Sequence, residues 1–393
     1  MGLILRHAHI ITPTHEIRDG YIVIDENGDI SEVGWEPLKN ELGYDELSLD
    51  GYLVGPGFID THIHGFKGID VMNASASDMV KLAKELTTRG VTSFIPTTVS
   101  APHEDLLKVC RVVKEVMGFN DIYGARILGL HLEGPYINPE KAGAHNKDFI
   151  RDPNVTEFNQ YLLESGGFIR EVTIAPELRG SLDFIKYVSS KGVVVQVGHT
   201  EASYETTLKA IAYGASKATH LYNAMGSIHH RSPGAPIALL SSKEVFIELI
   251  ADYIHVAPEM LKFTIDYARH DRVVLITDAI SAAGLGDGDY LLGGLEVVVK
   301  DGIARLKSTG ALAGSTLTMD KALKNVRALG YSLEQTFTML STTPAKSVGA
   351  VFKERVGLIK PGFKADLVVL NNSLDVVATF VNGNLIYKGM LPV

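Results

Sequence analysis

His62 and His64 close the apolar run GFIDTHIH and are followed by Gly65. Side chains alternate between the faces of a β-strand, so residues two apart share one face. Both imidazoles would therefore point the same way, as two ligands of one metal must. A His-x-His pair is a weak signal by itself, because 14 His in 393 residues supply roughly half such a pair by chance. Context strengthens it. Four more residues end an apolar run just before a loop: Glu133 in GLHLEGPY, His199 in VVVQVGHTEAS, His220 in ASKATHLYNAMG and Asp278 in VVLITDAISAAG. Any one of them reads equally well as a buried packing or hydrogen-bonding device. Four imidazoles and two carboxylates buried together are costly unless a cation or hydrogen bonds compensate them.

The spacing of the six residues separates these readings. Glu133 follows His64 by 69 positions, His199 follows Glu133 by 66, His220 follows His199 by 21, and Asp278 follows His220 by 58. A (β/α)8 barrel uses about 30 residues per unit. The gaps then read as two, two, one and two units, which puts the six on strands 1, 3, 5, 6 and 8, all at the C-terminal mouth where such barrels do chemistry. Asp60 shares the face of His62 and His64, and His131 that of Glu133. Both are candidates for orienting the ligands from behind.

The elements that must carry this constellation fall into three zones. Residues 1–54 read as short strands, with the turn Asn27-Gly28 between apolar alternations. From 55 to 355 apolar strands alternate with amphipathic helices, such as EDLLKVCRVVKEVMG with Leu106, Val109, Val113 and Val116 on one face. After 355 short strands return in GLIKPGFKADLVVLNN and DVVATFVNGNLIYKG. The expected fold is α/β: a (β/α)8 TIM barrel over 55–355, with a small discontinuous β-sandwich domain built from both termini, 1–54 and 356–393. YLLGGLEVVVKDGIARL, between residues 290 and 306, reads as a hairpin-like insertion in the last loop of the barrel.

Composition bounds the partners. A single Cys excludes a disulfide framework and Cys-rich metal sites, and Cys110 reads as a small core residue. The net charge of −9 disfavours nucleic acid, which relies on a basic field. An anionic ligand would need a local basic pocket, for which HHRSPG at 229–234 is the candidate. No signal peptide and no run of ~18–20 apolar residues is seen, so no membrane partner and a cytoplasmic location are expected. His7 and His9 have no carboxylate near them in the sequence and read as ordinary strand residues. His15, His103, His229, His230 and His270 read as surface or loop residues. Gly357 to Gly362 lacks the Lys of a phosphate-binding loop, having Phe363, and GDGDY is followed by Leu291 rather than the Gly of a dinucleotide site.

The motifs PGFIDTHIHG, GLHLEGPYINPEKAGAH, VGHTEAS, THLYNAM, TDAISAAG, LAGSTLTMD and PGFKADLVVL together resemble the amidohydrolase superfamily. More narrowly, they resemble its branch that deacetylates N-acetyl-D-glucosamine 6-phosphate to D-glucosamine 6-phosphate and acetate. HLEGP followed by GAH is the most diagnostic part, because most of the superfamily has a carboxylated Lys where Glu133 stands. The resemblance implies Glu133, His199 and His220 as ligands of one metal, and His62 and His64 as ligands of a second, bridged by Glu133. One or two divalent ions per subunit follow, zinc or else iron or manganese. It implies hydrolysis by a metal-activated water, with Asp278 as ligand and proton carrier and His145 or the metal stabilising the oxyanion. Ala144 and His145 would cover the sugar, Asn223 and Ala224 contact it, and Leu312, Ala313 and Gly314 line the acetyl side. Arg231 and His255 would bind phosphate, with help from the neighbouring subunit of a homodimer.

Three other functions compete with this one. The galactosamine isomer is the hardest to separate, since one epimeric hydroxyl leaves no sequence mark. A cyclic amide or a deaminated base would keep the metal barrel but make no use of Arg231 and His255. A non-catalytic scaffold would have lost ligands, and none is missing here.

Overall fold

The structure, a computed structural model, describes residues 2–40, 43–119 and 124–391. Its centre is a ring of eight parallel strands: Phe58–Ile63, Val91–Pro96, a third in two pieces (Arg126–Ile127 and Leu130–Glu133), Ile169–Ile174, Val194–Val197, Ala215–Ala218, Phe246–Ile250 and Val273–Ile276. The hydrogen-bond ladders form two arcs, one of three strands and one of six. The break between the arcs lies inside the third strand, at Gly129. Its φ of +139° is open to glycine alone, and an added Cβ would meet the Phe168 carbonyl oxygen at 2.6 Å. Single parallel bridges join the arcs at both seams, Thr97 to His131 and Ile63 to Ala279. Ring closure at the second seam is reinforced by Asp278 N–H donating to the His62 carbonyl at 2.9 Å.

A helix follows each strand and buries its apolar stripe against the ring. Ala76–Thr87 starts on a capping box at Ser75 and buries Met79, Leu82 and Leu86, while His103–Met117 buries Leu106, Val109, Cys110 and Val113. Cys110 is thus the small core residue the sequence suggests. After the eighth strand, the insertion forms three antiparallel strands, Gly288–Leu292, Leu295–Lys300 and Ile303–Leu306. It is one strand more than a hairpin, and packs its own apolar cluster against Val99 and Ile280.

The two chain ends share one eight-stranded sheet. Leu53–Pro56 pairs in parallel with Leu3–Ile11 and antiparallel with Leu367–Leu370, stitching the N-terminal strands to the C-terminal ones. One apolar cluster takes residues from both ends, among them Leu5, Ile22 and Ile30 with Val369, Val377 and Phe380. Within this sheet, His7 and His9 do have carboxylate partners, Asp19 and Glu16, which cross-strand pairing brings to 3.0 and 2.8 Å. His15 stacks on Trp35.

Candidate metal centre

The six residues singled out by register meet at the mouth of the ring, all buried. Their strands end there because the backbone turns outward: His199, His220 and Asp278 have φ of +49°, +26° and +51°. Non-glycine residues held in the left-handed region cost about 1–3 kcal/mol each and cluster at functional sites. Glu133 stands at the centre and divides the imidazoles between its two oxygens. Oε1 lies 3.0 Å from His220 Nε2 and 3.2 Å from His199 Nε2. Oε2 lies 3.1 Å from His64 Nε2 and 3.3 Å from His62 Nε2. Asp278 Oδ1 closes the second group, 3.1 Å from His64 Nε2 and 3.5 Å from His62 Nε2. Two donor groups on either side of one carboxylate form a layout for two cations sharing a bridge.

The partner of the other ring nitrogen decides whether each imidazole can ligate. His199 Nδ1 lies 2.7 Å from the Lys141 carbonyl, and His64 Nδ1 lies 3.2 Å from the Thr97 carbonyl. A carbonyl only accepts, so both Nδ1 atoms carry a proton, and in its neutral form each ring turns the Nε2 lone pair toward Glu133. His62 Nε2 is buried with no hydrogen-bond partner among the described residues, although carboxylate oxygens lie near it. Imidazole Nε2 atoms converging on two carboxylates need positive charge between them, from ring protons or from a cation, and the residues present fit a cation.

His145 is the opposite case. The Ser100 backbone N–H donates to its Nδ1 at 2.8 Å, which leaves the ring proton on Nε2, 3.5 Å from Glu133 Oε2. Burial above all pushes its pKa down to about 4, so the ring is neutral. His145 is near enough to Glu133 and His199 to share an ion, but its tautomer makes it a hydrogen-bond donor into the cavity.

Electrostatics point the same way. Burial opposes ionisation of Glu133, yet the charge of His62 and hydrogen bonds from His145, His199 and His220 hold its pKa well below the usual range. Asp278 is likewise held low against burial, by the hydrogen bond from His64 and the charges of His62, His64 and His220. In return His64 is raised to about 9, against burial, by Asp278 and Glu133. The carboxylates stay ionised and demand positive charge, which ring protons supply only by occupying the lone pairs a metal would use.

Above the cluster opens a cavity of about 340 Å³, within the ~300–1,000 Å³ typical of small-molecule sites. Ala144, His145, Asn223, Ala224, His255, Leu312 and Gly314 line it. Two expected residues do not. Ala313 is fully buried among the apolar side chains of the insertion. Arg231 sits on an exposed loop, its Nη1 2.8 Å from His230 Nε2, and is not among the residues that line the cavity. His255 donates from Nδ1 to Asp252 at 2.7 Å. Burial works against its protonation, but Asp252 raises its pKa. Lys141 and Leu292 also line the cavity. Sequence reasoning missed both, since neither ends a strand of the barrel. Asp60 serves the strand seam, accepting from Thr277 Oγ1 at 2.6 Å and from the Thr277 backbone. His131 packs edge-on to His62, with ring centroids 4.8 Å apart, and hydrogen-bonds Thr173 at 2.8 Å.

Comparison with known proteins gives a consistent answer. The amidohydrolase family model matches residues 53–386. The chain is 37% identical to an N-acetylglucosamine-6-phosphate deacetylase of Vibrio furnissii, over 94% of this chain and 91% of that protein. It is 35% identical to the one from Bacillus subtilis (strain 168), over 98% and 97%. An N-acetylgalactosamine-6-phosphate deacetylase of Escherichia coli O157:H7 is 38% identical, over 86% and 88%. Among solved structures, a mutant N-acetyl-D-glucosamine-6-phosphate deacetylase of Mycobacterium smegmatis, in complex with N-acetyl-D-glucosamine-6-phosphate, superposes with a TM-score of 0.91 at 34% identity, covering 99% of each chain.

Proposed function

Because the chain belongs to the amidohydrolase family, we propose that it hydrolyses the acetamide of N-acetyl-D-glucosamine 6-phosphate to D-glucosamine 6-phosphate and acetate, a step in amino-sugar breakdown. The observation that carries this reading is Glu133, with its two oxygens dividing four Nε2 atoms beneath a sugar-sized cavity. Glu133, His199 and His220 would hold one divalent ion. His62, His64 and Asp278, with Glu133 as bridge, would hold a second. Imidazole and carboxylate donors suit zinc, with iron or manganese as alternatives. When bound, such an ion supplies Lewis acidity that activates water and polarises the acetyl carbonyl.

The chain's own groups do the rest. The ionised Asp278 carboxylate takes the proton of the attacking water and returns it to the leaving nitrogen. His145 points Nε2–H at the carbonyl oxygen, where negative charge develops. Asn223, Ala224 and Ala144 orient the sugar, while Leu312 and Gly314 border the acetyl methyl and Leu292 helps exclude water. His255, held toward its cationic form by Asp252, faces the phosphate. Arg231 of the partner subunit would complete that anion site, since Arg231 does not line the cavity of its own chain.

A homodimer is supported by an apolar surface beside that loop. Ile228, Ile254, Met260, Phe263 and Tyr267 are exposed, and a groove connects Ile228 and Met260 with His255. Residues 55–355 act as the catalytic barrel, with 1–54 and 356–393 as its supporting β domain. Among the described residues no helix is long and apolar enough to cross a membrane, and a cytoplasmic site of action accords with the substrate. The galactosamine epimer is a second reading, favoured by the relative from Escherichia coli O157:H7. Acetate release measured with both 6-phosphorylated epimers and with unphosphorylated N-acetylglucosamine tests the proposal. A rate on the unphosphorylated sugar equal to that on the phosphate ester would remove the anion site.

A further inference from the structure

Beneath the candidate metal centre the barrel interior is charged. Lys217 on the sixth strand is fully buried and donates to Glu171 Oε1 at 2.8 Å, Glu248 Oε1 at 2.8 Å and Thr61 Oγ1 at 2.9 Å. Its three ammonium protons thus tie it to the fourth, seventh and first strands. The second oxygen of Glu248 reaches upward, accepting from His62 Nδ1 at 3.1 Å and from the His220 backbone N–H at 3.2 Å. Barrel interiors are ordinarily filled by branched apolar side chains. Replacing a buried ion cluster by such residues is often neutral or stabilising, so stability alone does not account for this trio.

We propose that Glu248, locked in place by Lys217, is a positioning residue for the metal centre. It holds the ring proton of His62 on Nδ1 and so aims the bare Nε2 at Glu133 and Asp278. The proposal rests on the metal-centre reading above. A carboxylate is acceptor-only, so its ionised form leaves His62 Nδ1 no role but donor. His64 and His199 are held by neutral carbonyls, whereas His62 is held by a carboxylate. A carboxylate on the far ring nitrogen also makes the His62 ring a stronger ligand than a neutral carbonyl would. Of the two cation positions, the one built on His62 and His64 therefore depends on Glu248.

Glu248→Gln is the informative change because an amide has one acceptor. Lys217 would take the amide oxygen, leaving the amide NH2 against His62 Nδ1. That arrangement favours a bare Nδ1 and puts the ring proton on Nε2, where it blocks ligation. Metal-stripped full-length protein is titrated with zinc against a chelating indicator. In Glu248→Gln the affinity of one of the two zinc positions should fall about 10–100-fold, with the other largely retained, and Glu248→Asp should recover part of the loss. A second measurement needs no variant. In nitrogen-15-histidine protein loaded with cadmium-113, His62 should carry its proton on Nδ1 and couple to the metal through Nε2. Two unchanged affinities in Glu248→Gln, or a His62 proton on Nε2, overturn the proposal. If wild-type protein binds no zinc at all, the metal-centre reading falls and this one with it. If Glu248→Gln does not fold, the cadmium spectrum decides.

Discussion

His145→Ala separates two roles that distance alone does not. The ring lies within ligand reach of Glu133 and His199, yet the Ser100 N–H at 2.8 Å from Nδ1 makes Nε2 a donor rather than a ligand. Removing one donor aimed at a developing oxyanion costs about 2.7–4 kcal/mol, or 10²–10³ in kcat. KM should move little, because the contact strengthens only as charge forms. The substitution also leaves the Ser100 N–H without this acceptor, at about 1–3 kcal/mol. A stability of ~5–15 kcal/mol absorbs that, so the variant should fold. The assay pairs steady-state acetate release with elemental analysis of the same preparation. The expected outcome is wild-type metal content with kcat reduced by two to three orders of magnitude. Metal lost together with activity would refute the tautomer argument and return His145 to the ligands.

Other expectations follow from the same geometry. Asp278→Asn, assayed at saturating metal, should lower kcat by about 10²–10⁴, the usual contribution of a positioned acid–base group; a smaller loss would move the proton transfer elsewhere. Arg231→Ala should lower kcat/KM for the 6-phosphate by about tenfold to a hundredfold, the worth of a charged hydrogen bond, and leave the unphosphorylated sugar unaffected. If Arg231 acts across a dimer, mixing Arg231→Ala with Asp278→Asn subunits should restore activity that neither has alone, and failure to complement would place Arg231 in its own chain's site. Far from the site, Arg6 hydrogen-bonds Glu36 and holds its pKa down to about 2 from 4.5. A depressed folded-state pKa contributes stability above pH 4.5 that fades as pH falls toward 2. Thermal melts of Glu36→Gln should therefore lose less between pH 5 and 2 than wild type (~3-unit window), and parallel curves would contradict this.

The cluster around Glu133 was legible because each residue ends an apolar run and the gaps between them are near multiples of one βα unit. His62 and Glu133 lie on the first and third strands, and His199, His220 and Asp278 stand two residues past the ends of the fifth, sixth and eighth. The chain ends were legible as well, since short strands flank an α/β core and pair across it. What escaped depends on closing the ring. Glu171, Lys217 and Glu248 sit mid-strand in IREVTI, ASKA and FIELI, where a charged residue reads as facing solvent until the barrel encloses it. Three such residues of opposite sign on the fourth, sixth and seventh strands were the available signal. The His145 tautomer depends on one backbone N–H from a distant loop, and no spacing encodes it. The absence of Arg231 from the cavity lining depends on loop conformation, which residue type does not determine. His7 and His9 found carboxylates only through cross-strand register.

Metal analysis of the purified protein, run beside acetate release from N-acetylglucosamine 6-phosphate before and after chelation, tests the central claim most directly. The account predicts one or two equivalents of a divalent ion per chain, loss of acetate release on chelation, and recovery when zinc, iron or manganese is restored. Full activity in a preparation that holds no metal would contradict it.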